Sequence, residues 1–405
     1  MKRLWLALAA AIFIILPSCD SAVVPTGEQD GPVELTIWHD KEEDVAAVLQ
    51  EALDRLQPGV AVRLERKSGL TEALKLVGNN PGAAPDLYFF AHDKMGVYAE
   101  MGILAPITGF VDAEDLNGFL PMTLEAVTYK GAIYQLPIYF ETLLFMYNRA
   151  LMNDSQVPAT TEDLYQFMAS GAGGRFGFIE QHSTAYYSAG WIHGFGGGIV
   201  ADDGTPLLNT PETIAALEYH LKFVKRMPGE GEYATVNTLF REGRAASTIG
   251  GPWLIPAVRQ SGIDLGLAKM PAVAETGLPL APYSGVQGLH VLRVAAENPA
   301  KSAAVKEVLA LLLNPNLGIA MAKASGCAPA LLTSYDDDEV KNDEMVMLMR
   351  ETAESAVPMP NIPEMDVMWN VVGNLLADVN MRGRDVSEAA ADAQKQAEAL
   401  ILAMR

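Results

Sequence analysis

Cysteine is almost missing from this chain: Cys19 and Cys327 are the only two among 405 residues. A disulfide framework of the kind that holds small exported domains is therefore excluded, and the fold has to stand on its apolar core. Histidine is also sparse. His39, His92, His182, His193, His220 and His290 form no HExxH and no close Cys/His set, so the spacing offers no metal site. Basic residues are outnumbered, 29 against 50 acids, for a formal net charge of −21. That balance excludes nucleic acid and an anionic membrane surface as partners, since both attract Lys/Arg-rich proteins, and a small neutral ligand fits better. No cofactor is called for: Gly194 to Gly198 lacks the strand, helix and lysine of a phosphate loop and reads as a turn.

A long hydrophobic run is missing too. The apolar stretch Leu4 to Leu16 follows Lys2 and Arg3 and has thirteen residues, against the roughly 20 that a membrane-spanning helix needs. It reads as an export signal covering residues 1–18. Leu16-Pro17-Ser18-Cys19 then resembles a bacterial lipobox, which makes Cys19 the lipidated first residue of the mature chain and leaves Cys327 without a disulfide partner. Its rival is a Cys that merely follows a cleavable signal. Residues 19–32, with Pro25, Gly27, Gly31 and Pro32 and no hydrophobic period, read as a tether. Extended, it lets the globular part stand about 40 Å from the lipid.

What remains is ample apolar material, 50% of the chain, in an α/β rhythm. Val33 to His39 and Val60 to Glu65 read as strands, and Lys41 to Leu56 as a helix capped by Asp40 with Glu43 completing a capping box. Pro85 to Ala91 reads as a buried strand. Ile133 to Tyr147 reads as one or two more with Pro137 as a break. Val305 to Leu313 reads as a helix ended by Asn314-Pro315, and Asp385 to Met404 as a capped terminal helix.

Several segments resemble, in order and across nearly the whole mature chain, the extracellular solute-binding proteins typified by maltose-binding protein. They are Phe89 to Lys94 with Tyr98-Ala99 and Gly102 to Leu104, Pro137 to Asn148, Phe240 to Trp253, and Met359 to Trp369. PNIPEM followed by Trp369 is the pattern of the maltodextrin-binding branch. The resemblance implies an α/β, two-lobed periplasmic-binding-protein-like fold (type II) with a hinged cleft. One lobe would be 33–139 plus 287–338 and the other 144–283 plus 345–405. It also implies a monomeric, non-enzymatic lipoprotein of an ABC importer, exported and held at the membrane through Cys19, that binds maltose or a maltodextrin and passes it to permease subunits.

A pyranose needs charged groups at its rim and aromatic rings on its faces. The matched segments supply Asp93, Lys94 and Glu141, with Asp40, Lys41 and Glu72, for the hydroxyls. They supply Phe90, Tyr186, Tyr187, Tyr233, Trp253 and Trp369, with Met359 as an apolar contact, for the faces. Phe90 and Lys94 stand where the type member has Trp and Arg, which leaves trehalose, sucrose or another disaccharide open. Each residue also has a bland reading, as surface carboxylate, helix cap or core aromatic. Two other functions stay open: glycoside hydrolysis with Asp93 and Glu141 as acid and base, and a chemosensory binder that presents its closed form to a receptor.

Overall fold

The computed structural model describes residues 31–171 and 173–404. The export segment, Cys19 and the tether as far as Asp30 lie outside the described residues. The strands are β1 (Val33–His39), β2 (Val60–Arg66), β3 (Leu87–Ala91), β4 (Leu104–Ala105), β5 (Thr128–Tyr129), β6 (Ala132–Ile133), β7 (Gln135–Thr142), β8 (Leu144–Asn148), β9 (Ser247–Gly250), β10 (Leu265–Ala268), β11 (Tyr283–Leu292), β12 (Ala328–Pro329) and β13 (Val357–Pro358).

The larger sheet runs in the order β12-β7-β11-β3-β1-β2, with β4 and β13 also paired to β11. β1 lies parallel to β2 and β3, and the helices Glu43–Leu53 and Leu70–Val77 make the crossovers that parallel strands need. β11 is antiparallel to both β3 and β7. The consequence for function is directional: β1, β3 and β7 run the same way and end at one edge of the sheet.

Both faces of this sheet are covered. Leu35, Ile37, Leu87, Phe89, Leu289 and Val291 pack on Val305, Val308 and Leu309 of the helix Pro299–Leu312. Their neighbours Trp38, Tyr88, Phe140 and Val286 pack to the other side with Met95 and Tyr98, the period-two alternation of strand side chains. Only Leu143 separates β7 from β8, which belongs to a second sheet in the order β10-β8-β9. There Phe145 and Tyr147 join one cluster and Met146 another. The helices Ala185–His193, Pro211–Val224, Met365–Asn380 and Val386–Met404 pack together against this second body. The molecule is two-lobed, with a short strand-to-strand passage between the lobes.

Two local expectations change. The first helix is Glu43–Leu53, and its cap position is Glu42, which makes no side-chain cap bond. Asp40 is not the cap, because its carboxylate pairs with Lys41 at 2.7 Å, while the Lys41 N–H donates to His39 Nδ1 at 3.2 Å. Nor does Pro137 break its strand. β7 runs through it, with Pro137 opposite Gly288 where the register shifts between Gln287 and Gly288. A residue without an N–H is tolerated at such an irregularity, and the strand break falls at Leu143 instead. At the C-terminus, Asp385 Oδ1 accepts from the Glu388 N–H at 3.1 Å, as a cap should.

Gly288 is required by space. A Cβ there would lie 2.1 Å from the Leu136 carbonyl oxygen, a backbone atom that cannot swing away. Gly288→Ala is therefore expected to cost on the order of 1–3 kcal/mol and to disturb the neighbouring Gln287. Urea unfolding of the variant beside the unmodified protein checks this, and equal midpoints would show that β7 yields freely.

Candidate functional site

The common edge of β1, β3 and β7 is where open α/β sheets place ligands, because side chains just beyond the strand ends face the crevice. Five charged residues sit there, at the ends of three strands. Asp40 and Lys41 follow β1, Asp93 and Lys94 follow β3 in the short turn His92–Lys94, and Glu141 stands near the end of β7.

Glu141 is the most firmly held. Its Oε1 accepts from Gln287 Nε2 at 2.9 Å, and its Oε2 faces the Cys327 thiol at 3.6 Å. Gln287 Oε1 in turn accepts from Lys41 Nζ at 2.7 Å. Burial pushes the Glu141 carboxyl above its ordinary range, against the opposing pull of the Gln287 hydrogen bond and Lys41. Burial likewise raises Asp93, whose side chain is 12% exposed, with Lys94 and His92 opposing. Neutral hydroxyl donors that approach these carboxylates would satisfy lone pairs without adding charge.

His92 fixes the floor of the cleft. Its Nδ1 accepts from the Val286 N–H at 3.0 Å, so Nε2 carries the proton and donates to the Met359 carbonyl at 2.9 Å. Burial holds this imidazole below its ordinary pKa, which keeps it neutral in that tautomer. Met359 is thereby placed beside Gly285, where a Cβ would come within 3.0 Å of Glu141 Oε1 and 3.3 Å of Met359 Cε. Glycine leaves that floor open.

The opposite wall is aromatic. Tyr186, on the helix Ala185–His193, lies 6.3 Å from Trp253 and 6.4 Å from Tyr283, and Tyr283 lies 5.8 Å from Trp369 (ring centroids). Tyr187 meets Tyr186 edge-on at 5.8 Å. Trp253 is 37% exposed, and the buried Tyr186 hydroxyl has no partner among the described residues. An exposed indole and an unpaired phenol are what a ligand with apolar faces and hydroxyls would cover. Phe90, like Tyr186 and Trp369, packs against the helical cluster that holds Met359 and Met368, and it also packs against the large-sheet core. Lys41 Nζ lies 5.5 Å from its ring centroid.

Lys94 is engaged mainly elsewhere. Its Nζ is 2.6 Å from Asp366 and 3.7 Å from Asp93, and Asp366 also takes Lys75 at 2.9 Å. Glu72, largely exposed, reaches the same Lys75 at 3.2 Å. Tyr233 is half exposed at the start of the helix Tyr233–Arg241, within electrostatic reach of the Tyr187 phenol. The structure therefore groups Asp40, Lys41, Phe90, Asp93, Glu141, Tyr186, Trp253, Met359 and Trp369 around the cleft, with Tyr187 behind and Glu72 and Lys94 in a rim of ion pairs. Sequence reasoning missed Gln287, Tyr283, Asp366 and Lys75. A glutamine inside the apolar run of β11 was the one available signal.

A cavity of about 640 Å³ opens beside Asp40 and Phe90 and continues past Arg66, Lys67 and Thr71. A second, of about 1320 Å³, lies between Tyr129, Gly196–Ile199 and Met359–Glu364. It includes Met359 and Tyr283 but none of the cleft carboxylates, so its size alone does not make it the ligand site. Among the described residues no group of His, Cys, Asp and Glu is disposed to hold a metal ion.

The rim makes a prediction. Lys94 and Lys75 hold the Asp366 carboxyl below its ordinary value although burial works against them. Its stabilisation is therefore present above the unfolded carboxyl pKa, about 3.9, and is lost as pH falls below that. Asp366→Asn should cost on the order of 2 kcal/mol at pH 7, between an exposed pair and a buried one. The gap should narrow in urea melts as pH falls from the unfolded carboxyl value through the lower folded one, and a gap that stays constant with pH would mean that the charge on Asp366 contributes nothing.

Comparison with known proteins agrees with this geometry. A family model described as bacterial extracellular solute-binding protein matches residues 50–347. The maltotriose-binding protein of Pyrococcus abyssi is 32% identical over 86% of this chain and 78% of its own length. The galactooligosaccharide-binding protein of Bacillus subtilis is 25% identical over 98% of this chain and 96% of its own. A crystal structure of a cyclo/maltodextrin-binding protein complexed with maltotetraose superposes with a TM-score of 0.81 at 27% identity, covering 93% of this chain and all of the other. With a cleft between two α/β lobes and a family match over most of its length, the chain belongs to the bacterial extracellular solute-binding proteins.

Proposed function

We propose that this protein captures maltose or a short maltodextrin in the cleft and delivers it to the permease of an ABC importer. The observation that carries the reading is the pairing of one wall of carboxylates and lysines with a facing row of four aromatic rings. A neutral sugar complements both walls, with hydroxyls for the first and C–H faces for the second. Relatives with maltotriose-binding and galactooligosaccharide-binding names favour an oligosaccharide, and the maltotetraose complex favours an α-glucan.

In this reading the lobes are residues 33–139 plus 287–338 and 144–283 plus 345–405, and the ligand closes them by making more contacts in the closed than in the open state. The carboxylates accept hydrogen bonds from sugar hydroxyls and carry out no hydrolysis. Their involvement with Lys94, Gln287 and Cys327 suits fixed acceptors better than an acid that must release its proton. The protein acts as a monomer, exported and anchored through a lipid on Cys19, a position supported by the Leu16 to Cys19 pattern.

Calorimetric titration of protein freed of bound sugar by unfolding and refolding tests the reading. Maltotriose is expected to bind one-to-one with micromolar or tighter Kd, about 8 kcal/mol. Asp93→Ala should weaken it by about 2 kcal/mol, roughly thirtyfold, and Trp369→Ala should remove stacking. Heat with trehalose, sucrose or a galactooligosaccharide, and none with maltose or maltotriose, would reassign the substrate.

A further inference from the structure

Gln287 is the only side chain that joins the Lys41 ammonium to the Glu141 carboxylate among the described hydrogen bonds. It is 7% exposed and sits on β11 opposite Ala91 of β3 and Tyr139 of β7, one residue before the register shift at Gly288. The bridge can be built only one way round. An ammonium donates and cannot accept, while a carboxylate accepts and cannot donate, so the amide oxygen must face Lys41 and the amide nitrogen Glu141. Leucine would leave both charges without this contact, and a glutamate would set a second carboxylate against Glu141.

The consequence concerns what is left over. Lys41 places one N–H on Gln287 and one on Asp40, which leaves a third. Glu141 has one oxygen fixed by the amide and the other beside the thiol, with further lone pairs open. We propose that Gln287 is a positioning residue for ligand capture. It locks Lys41 and Glu141 at a set separation, so that the free N–H and the free lone pairs meet two hydroxyls of one sugar ring, one accepting and one donating. The inference rests on the sugar-binding reading above.

The groups that face Glu141 are Asp40 and Lys41 after β1, Cys327 before β12, Tyr139 on its own strand, and Tyr186 and Tyr187 from the helix Ala185–His193. Burial drives the three phenols and the thiol upward, so all four stay neutral below pH 8. Glu141 is the carboxyl of this set that burial raises. Because the amide hydrogen bond opposes the effect of burial on Glu141, its removal moves protonation of Glu141 to higher pH.

The test uses Gln287→Leu and Gln287→Glu in the whole protein, with maltotriose as the probe. Calorimetric Kd is measured from pH 8 to pH 5, thermal melts confirm folding, and Glu141 is titrated without sugar by ¹³C NMR of carboxyl-labelled glutamate, assigned with Glu141→Gln. Gln287→Leu is expected to weaken maltotriose about ten- to a hundredfold, to raise the pH at which Glu141 takes up its proton, and to lose affinity at higher pH than the unmodified protein. Gln287→Glu is expected to show the opposite trend, weakest at pH 8 and recovering as one shared proton replaces the amide N–H. Unchanged affinity in folded Gln287→Leu, or one parallel loss for both variants at every pH, would overturn the proposal. If the unmodified protein gives no heat with maltotriose, the sugar reading falls, and the Glu141 titration decides alone: no shift in Gln287→Leu would overturn the bridge.

Discussion

Everything around the cleft depends on the burial of β11, all ten residues of which, Tyr283 to Leu292, are shielded from water. A strand in that position must have its backbone groups paired on both edges. β3 and β13 supply one side, β7 and β4 the other. Its polar side chains must find partners as well. Gln287 finds Lys41 and Glu141. His290 stacks on Tyr88 at 4.1 Å between centroids and meets Gln135 at 3.1 Å. The elements that end beside this strand are thereby drawn into one arrangement, and the binding groups come with them.

That arrangement explains why a strongly acidic protein can offer a site for an uncharged ligand. The net charge of −21 is spread over exposed side chains, where solvent and salt screen it. In the cleft, acids and lysines alternate: Asp40 with Lys41, Asp93 with Lys94, and Asp366 between Lys94 and Lys75. Each buried charge costs desolvation energy, which its opposite and the surrounding donors offset. An added anion or cation would upset the balance, whereas hydroxyls donate and accept within it.

The strands were legible because their signal is local. β1 and β3 follow from runs of apolar and β-branched or aromatic residues bounded by polar turns, and their inward faces follow from period two. Asp40 misled because an acid three residues before a glutamate fits a cap equally well. Only the lysine beside it, tied across the sheet to Gln287, shows why the helix starts later. Pro137 misled because its effect depends on the opposite strand, where Gly288 absorbs the irregularity. Gln287, Tyr283 and Asp366 were beyond local reading for the same reason: 246 residues separate Gln287 from Lys41, and 291 separate Asp366 from Lys75. Family likeness pointed to residues expected to meet a ligand, and only the fold identifies those that hold them.

The ion pairs at the rim bear on how closure is achieved. Asp366 begins the helix Met365–Asn380, which packs in the second lobe, whereas Lys75 and Lys94 belong to elements on the large sheet. They join the two bodies directly. A ligand can shift an open–closed equilibrium only by its difference in affinity for the two forms. Any closure free energy already supplied by Asp366 therefore reduces what the sugar must contribute, and it also populates the closed form in the absence of sugar. A permease that reads closure needs that population to stay small. The clasp is partly solvated, with Asp366 and Lys75 each about a quarter exposed, so solvent screens it and its contribution to any closure free energy stays below that of a fully buried pair.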